Sequence, residues 1–367
     1  DPEEASVALY AMPAESPSLR LLADRAARTL GYLSAALKGL AFLKNPMGEP
    51  RPLPRKKLRV PDFLPAFVNS FRALLTMAAV SLFWIVTAWP GGAGALVMAA
   101  IGSILIAPRA DPPFTAALET LIGIIVTVIL ARIVKFSLLP QFETFAGLSL
   151  ALSLIYIPLG AALTQPWRTR VFSNALYFFL GLASPTNEMV YDAVRFYNSA
   201  LATVGGLSAV LVALLVLPPV PAPLRARRLL ALTLRDFRRL AAKPAIPSVE
   251  SWVGRTAERL SALPDHARPA QFAALGTALS AGAELIRLRR LASSFGFSAL
   301  LDPSLEAIAL GQSELAVRRL AEADAKLSMP GEVQADADVR IGARAKIYLL
   351  SESLARYGAY FDGQELE

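Results

Sequence analysis

One carboxylate and four cations lie within or beside long apolar runs, and their types and spacing could do chemistry. Glu119 falls about one helical turn into an apolar stretch over 115–136, four residues before Gly123. An acid inside such a stretch is expensive to keep charged, which makes it a candidate for taking up and releasing a proton. The alternative is an interfacial Glu119, wetted or paired with Arg109. Arg72, Arg132, Lys135 and Arg195 could meet an anionic solute. Arginine suits a carboxylate because its planar fork binds both oxygens. Each also has a plainer reading. Arg72 would anchor to lipid phosphate, Arg132 and Lys135 would snorkel from one helical face, and Arg195 would pair with Asp192 or Glu188.

Aromatic and kinked segments supply the rest. Phe83, Trp84, Tyr156, Tyr177, Phe178 and Phe179 could stack against a ring, or simply face lipid or pack. Trp89 and Trp167 fit an interfacial belt. Between 181 and 187 the fifth apolar segment breaks at Ser184, Pro185, Thr186 and Asn187. A broken membrane helix exposes amides and helix ends to a cavity, whereas an ordinary loop would read the same way.

The elements that must position these residues are apolar helices. From Ala73 to Pro108 no side chain is charged, and Trp89-Pro-Gly-Gly punctuates the run. A bilayer core takes about 20 apolar residues per helix, so two antiparallel helices joined by a tight turn fit. Six segments are expected, at 71–89, 92–107, 115–136, 145–163, 171–183 and 199–217. Gly91, Gly92, Gly94, Gly102, Gly123, Gly205 and Gly206 would allow close helix approach. Basic flanks precede the first segment (Arg55, Lys56, Lys57, Arg59) and follow the sixth (Arg225, Arg227, Arg228, Arg235, Arg238, Arg239). Both should be cytoplasmic, which requires an even number of crossings.

Around these runs the sequence is amphipathic. Ser16 as N-cap and Pro17 at the first position open a helix with Leu19, Leu22, Ala26, Leu30, Leu33 and Leu37 on one side. Beyond Pro223, helical patterns cover 224–243, 248–263, 269–295, 303–326 and 335–360, with Asp302-Pro303 as a start signal. The expected fold is all-α: about six transmembrane helices with a cytoplasmic helical bundle. Its parts are the end of a preceding soluble helical domain (1–45), a basic proline-rich linker (46–65), the transmembrane domain (66–218) and the cytoplasmic domain (219–367). The opening Asp1-Pro2 reads as that of a fragment, a processed product or the second half of something longer.

Composition narrows the function. Mean hydropathy is +0.46, 54% of residues are apolar and 18% charged, a mixture expected of membrane helices joined to soluble ones. The net charge of +8 sits at membrane borders, which favours membrane topology over nucleic-acid binding. With no cysteine and a single histidine, His266, outside the apolar runs, thiolate chemistry and a membrane histidine relay are excluded. No GxSxG, Walker A, HExxH or CxxC motif is present, so no enzyme, cofactor or metal is expected, and any transport would draw on a gradient.

The run from Arg72 through Leu82-Phe-Trp84-Ile-Val-Thr-Ala-Trp89-Pro-Gly-Gly-Ala-Gly94 to Met98, with Asn198-Ser-Ala-Leu201 and Gly205-Gly206 later, resembles the second membrane half of the aromatic acid exporter and fusaric acid resistance family. The resemblance covers about 71–240 and rests on order and spacing. It implies proton-driven export of aromatic carboxylic acids, an inner-membrane location and a periplasmic adaptor as partner. It also implies pairing, as a homodimer or with another half. Two rivals stay open: an anion channel similar to plant malate channels, and a membrane-anchored scaffold.

Overall fold

The computed structural model describes residues 2–44, 62–106, 113–142, 144–164, 168–186, 189–329, 333 and 335–364. The linker cations Arg55–Arg59, Arg109, Trp167, Asn187, Glu188 and the Pro330-Gly331 break lie outside these residues. Every regular element among those described is helical. The chain divides into two compact units, Phe63–Val220 and the combination of Asp1–Asp62 with Pro221–Glu367.

The first helices, α1 (Pro2–Ala11) and α2 (Pro17–Lys44), belong to the second of these units. Ser16 Oγ accepts the Leu19 amide at 3.2 Å, the cap that the sequence announces. On α2, Leu21 packs against Ala345 and Leu349.

Among the described residues, six α-helices make the apolar unit: α3 (Phe63–Thr87), α4 (Gly92–Ile106), α5 (Pro113–Ile133), α6 (Phe145–Leu163), α7 (Thr169–Ala183) and α8 (Ala193–Val216). Among the described residues, four stretches are long and apolar enough to cross a membrane: Phe63–Thr87, Phe114–Gln141, Phe145–Leu163 and Ala193–Val216. A fifth, α4, is apolar but shorter. Hydropathy locates the middles of these helices and misses their ends, because caps set the ends. α3 starts at Phe63, inside the expected linker, with Pro65 in its first turn, where a missing N–H is harmless. α8 starts before the expected 199 because Asp192 Oδ1 accepts the Arg195 amide at 3.0 Å.

Close approach holds this unit together. A Cβ on Gly206 of α8 would overlap the Ala95 carbonyl oxygen of α4, and one on Gly123 of α5 would lie 2.6 Å from the Val171 carbonyl oxygen of α7. Both pairs therefore pack backbone to backbone.

The remaining helices are α9 (Ala222–Ala242), α10 (Val249–Ser261), α11 (Pro269–Ser294), α12 (Ser298–Leu310), α13 (Ser313–Ser328), α14 (Ala337–Arg356) and the single turn α15 (Gly358–Phe361). α9 keeps one buried stripe through Leu229, Leu230, Thr233, Phe237 and Leu240. α11 does not: Ala281 through Ile286 are buried without interruption, so this helix runs through the centre of the bundle rather than along its surface. Pro303 is also not a helix start. It lies inside α12, which begins at Ser298, because burial of Leu301, Ser304, Ala307 and Ile308 outweighs the lost backbone bond. The expected single helix over 303–326 ends at Gly311 (φ 73°), a left-handed cap, and restarts as α13.

Candidate functional site

Polar chemistry in the apolar unit gathers at the two ends of α5. At its start, Glu119 Oε2 lies 3.4 Å from Arg170 Nη1 of α7, and both side chains are partly exposed. Gly123 explains the pairing. It sits one turn beyond Glu119, and its missing side chain lets α7 approach closely enough to bring Arg170 within reach. Thr127 reinforces the contact, donating to Gly123 O at 2.8 Å and reaching Ala175 O at 3.4 Å. Asn174 Nδ2 donates to Thr120 Oγ1 at 3.3 Å. Glu119 is thus half of an ion pair rather than an isolated buried acid.

At its other end α5 changes register. Val134–Leu138 form a π turn, in which the Leu139 amide bonds Val134 O five residues back, and Leu139–Gln141 continue as a 3-10 turn. Pro140, which has no N–H to give, stands in this last turn. Such π turns recur at functional sites. The turn begins between Arg132 and Lys135, so their spacing of three no longer guarantees a shared face. Arg132 is exposed, and its Nε donates to the Tyr197 hydroxyl of α8 at 2.7 Å. Lys135 is half-buried and has no hydrogen-bond or ion-pair partner among the described residues. Aromatic rings surround the turn edge to face: Phe136 on Phe196 at 5.4 Å, Phe196 on Tyr197 at 5.5 Å and Tyr156 on Phe179 at 5.5 Å. The N-termini of α6 and α8, capped by Thr144 and Asp192, meet the same end. Helix N-termini carry partial positive charge, which favours an anion there.

Glu119 and Arg132 are 13 positions apart on one helix, roughly 20 Å at 1.5 Å per residue.

The other expected site residues scatter. Arg72 is 4% exposed and donates to Leu217 O at 3.2 Å and Asn69 Oδ1 at 2.7 Å, tying the start of α3 to the end of α8. It borders a void of about 10 Å³, room for no more than a water. Its guanidinium is therefore turned inward, not out to lipid. Arg195 is exposed in the first turn of α8. Tyr177 is 77% exposed on the outer face of α7, Phe178 is partly buried beside the cluster around Ala99 and Ile124, and the fully enclosed ring is Phe179. Ser184 ends α7 in the left-handed region (φ 41°), its Oγ donating to Gly181 O at 2.5 Å. Trp89 donates to Asn198 Oδ1 at 3.1 Å, so it ties helix ends as well as bordering the apolar face. Sequence reasoning passed over Tyr197 and the pairing role of Arg170. Both become visible only when α5 is laid against α7 and α8.

Among the described residues, four membrane-length helices in an all-helical chain define an all-α, multi-pass membrane protein. The chain belongs to the fusaric acid resistance protein family, which it matches over residues 2–350. It is 30% identical over 199 residues to an uncharacterized transporter of Gluconobacter oxydans, covering 54% of this chain and 27% of that protein. It is 30% identical over 165 residues to the p-hydroxybenzoic acid efflux pump subunit AaeB of Erwinia billingiae, covering 44% of this chain and 25% of the relative. The AaeB of Yersinia pestis is 27% identical over 152 residues, 41% of this chain and 23% of the relative. The chain thus spans about a quarter of the length of these curated relatives. No solved structure matches it significantly.

Proposed function

We propose that this chain serves an efflux transporter of the bacterial inner membrane that exports aromatic carboxylic acids, or similar small organic anions, against protons. The observation that carries the reading is the cluster at the π turn. An aromatic acid needs a cation for its carboxylate and an apolar wall for its ring. Arg132 and Lys135 beside Phe136, Phe196 and Tyr197 offer both. Tyr197 engages only Nε of Arg132, which leaves the two terminal nitrogens for a carboxylate. Arg195, Phe178 and Ser184 would extend the path. Kinship with p-hydroxybenzoic acid efflux pump subunits points to the same substrate class.

Glu119 is the proposed proton carrier. Protonation would dissolve its pair with Arg170 and loosen α5 from α7. The helical unit would lie in the cytoplasm, next to the basic flank Arg225–Arg228. A single cysteine at Glu314, which is 84% exposed, should then resist an impermeant thiol reagent in intact cells, and labelling would overturn that placement. A second membrane half or a homodimeric copy, with a periplasmic adaptor, would complete the pump. Purification from native membranes that yields a lone monomer would argue against this assembly.

The deciding experiment is pH-gradient-driven accumulation of 4-hydroxybenzoate in everted membrane vesicles. Arg132→Ala should weaken apparent affinity roughly ten- to hundredfold, from about 1.5–3 kcal/mol for a lost charge-assisted hydrogen bond. Arg132→Lys should fall in between, since it keeps charge without the fork. Glu119→Gln should abolish the dependence on the gradient. Unchanged affinity in both Arg132 variants would sink the carboxylate site, and wild-type export by Glu119→Gln would sink the coupling role. Passive flux that follows voltage alone would identify a channel.

A further inference from the structure

The apolar side of α2 that the sequence announces is not the side that the bundle buries. Leu21, Ala23, Ala27 and Ser34 face inward. There Leu21 packs on Ala345 and Leu349, Ser6 Oγ donates to Ala27 O at 2.7 Å, and Arg28 Nη1 donates to Glu284 Oε1 at 2.6 Å. The opposite side is apolar too. Positions 19, 22, 26, 29, 33, 36, 40 and 43 recur at alternating spacings of three and four, and none is charged. Alternation of that kind is the seam of a coiled coil. Leu22, Leu40 and Leu43 of the seam are 65%, 65% and 84% exposed, and the neighbouring Tyr32 is 70% exposed. Residues 35–43 are exposed on every side, so the end of α2 projects beyond the helices it packs on. A helix that is apolar on both faces belongs between two partners, and here one is in place.

The order of the seam residues selects the second partner. It reads the same from either end. Laid antiparallel against a copy of itself, Leu19 meets Leu43, Leu22 meets Leu40, Ala26 meets Ala36 and Thr29 meets Leu33. Such reciprocal contacts are what a twofold axis requires. Thr29 costs the seam nothing polar, because its hydroxyl is committed to Arg25 O at 3.0 Å and its methyl remains. The two Arg25 side chains would stand roughly 18 Å apart along such a pair, at 1.5 Å per residue. Antiparallel pairing also lays each projecting end along the seated half of the other α2. With Leu19, Leu33 and Leu37 included, and at about 150–250 Å² for a whole large side chain, the stripe leaves roughly 800 Å² uncovered. That is about what one partner contributes to a stable interface, ~800 Å². The sequence after α2, interrupted by Pro46, Pro50, Pro52 and Pro54, has no heptad of its own to lay there. Helices that rest on lipid carry basic borders, whereas of the positions flanking this seam (18, 25, 32 and 39, with 23, 30 and 37) only Arg25 is charged. We propose that α2 is a dimerisation seam, through which two copies of this chain pair antiparallel about a twofold axis near residue 31. It gives the homodimeric copy an interface and is independent of what the protein transports.

The chain has no cysteine, so introduced cysteines read the pairing cleanly. The test is disulfide formation by the full chain in proteoliposomes of phosphatidylethanolamine and phosphatidylglycerol, scored on non-reducing gels. In an antiparallel pair Leu22 is level with Leu40 of the other copy and roughly 27 Å from its Leu22, at 1.5 Å per residue. A disulfide needs Cα atoms within about 7 Å. The double variant Leu22→Cys/Leu40→Cys should therefore form covalent dimers, and each single variant should not. Adding Leu33→Glu places a charge in the seam from an exposed position. It should reduce the linked fraction about tenfold and leave the circular dichroism spectrum unchanged. Absence of dimers in the double variant would overturn the proposal. Linkage in the single variants would do the same, since it would mean parallel or random contact. Undiminished linkage with Leu33→Glu would also overturn it. So would quenching of a fluorophore on Leu40→Cys by brominated phosphatidylglycerol, which would assign the stripe to the membrane surface. Transport of 4-hydroxybenzoate without linkage would sink the seam and spare the transport reading, and linkage without transport would do the reverse.

Discussion

The two units differ most in what they leave exposed. In the helical unit the bulkiest side chains are innermost: Trp252, Phe237, Leu285 and Leu301 are each 1% exposed. In the membrane unit Ile85, Val86, Ile104 and Ile157 point outward, while Ala95, Ala99, Gly102, Ala175, Ala200 and Gly206 lie inside beside a few large side chains such as Ile124 and Phe179. Water drives the first arrangement, at about 25 cal/mol for each Å² of apolar surface removed. Lipid tails are as apolar as leucine and supply no such force, so the second arrangement relies on close backbone approach, with small residues at the interfaces. Outside α2, a large apolar residue therefore reads mainly as core in the helical unit, whereas in the membrane unit it can be core, like Ile124 and Phe179, or outer surface, like Ile85 and Ile157.

Adding a side chain should do most harm in the membrane unit. Gly206→Val forces a branched side chain against the Ala95 carbonyl oxygen and backbone atoms that cannot swing away. Overpacking alone costs about 1–3 kcal/mol where side chains can yield, and here they cannot. We expect no monodisperse protein after detergent extraction. Its neighbour is the control. A Cβ at Gly205 meets nothing nearer than Trp89 at 3.9 Å, so Gly205→Ala should elute like wild type. Equal behaviour of the two variants would refute packing by close approach.

Removing a side chain should do most harm in the helical unit. Trp252 fills the space against Gly282 and donates Nε1 to Leu279 O at 3.0 Å. Trp252→Ala should reduce the opening free energy of α11 amides in hydrogen exchange by about 3–5 kcal/mol. Ile85→Ala, at a position 74% exposed, should leave exchange in α3 within about 0.5 kcal/mol of wild type in a bilayer. Similar losses from the two truncations would erase the contrast between the units.

That contrast also explains what the sequence made legible. Apolar runs located the membrane helices, and the Glu119–Gly123 spacing singled out the start of α5, where Glu119 lies beside Arg170. The partner of Glu119 was not legible, because Arg170 is 51 residues away and reaches it only through the α5–α7 packing. Nor was the choice among Tyr177, Phe178 and Phe179, since lipid-facing and inward-facing positions are equally apolar in this unit. The π turn leaves no trace in hydrophobic periodicity until Pro140, by which point the register has changed. In the helical unit, Asp302-Pro303 offered a local start signal that tertiary burial overrode, and Gly311, inside the single helix expected over 303–326, is a left-handed cap that divides it.

The smallest expected effect tests whether a charge can be a liability in the water-facing unit, as it is in a bilayer. Lys346 on α14 is largely buried. It donates to Gly342 O at 3.0 Å and lies 3.9 Å from Asp24 Oδ2, facing Glu284, Arg28 and Arg287. Burial lowers its pKa below the ordinary lysine value, and the nearby Glu284 and Asp24 only partly offset this. The sign follows from linkage. Below the folded pKa both states carry the ammonium, and the folded state bears the desolvation penalty in full. Between the folded value and about 10.4, the unfolded chain holds the proton and the folded chain does not, so stability rises with pH. Lys346→Met removes the penalty and leaves Asp24 paired with Arg20, and Glu284 paired with Arg28 and Arg287. The variant should be more stable than wild type by about 1 kcal/mol at neutral pH, with the gap closing as the pH approaches 10.4. Thermal melts from pH 7 to pH 10 would read this directly. A variant less stable at pH 7 would mean that attraction to Asp24 and Glu284 outweighs desolvation, and that this buried cation holds α14 in place.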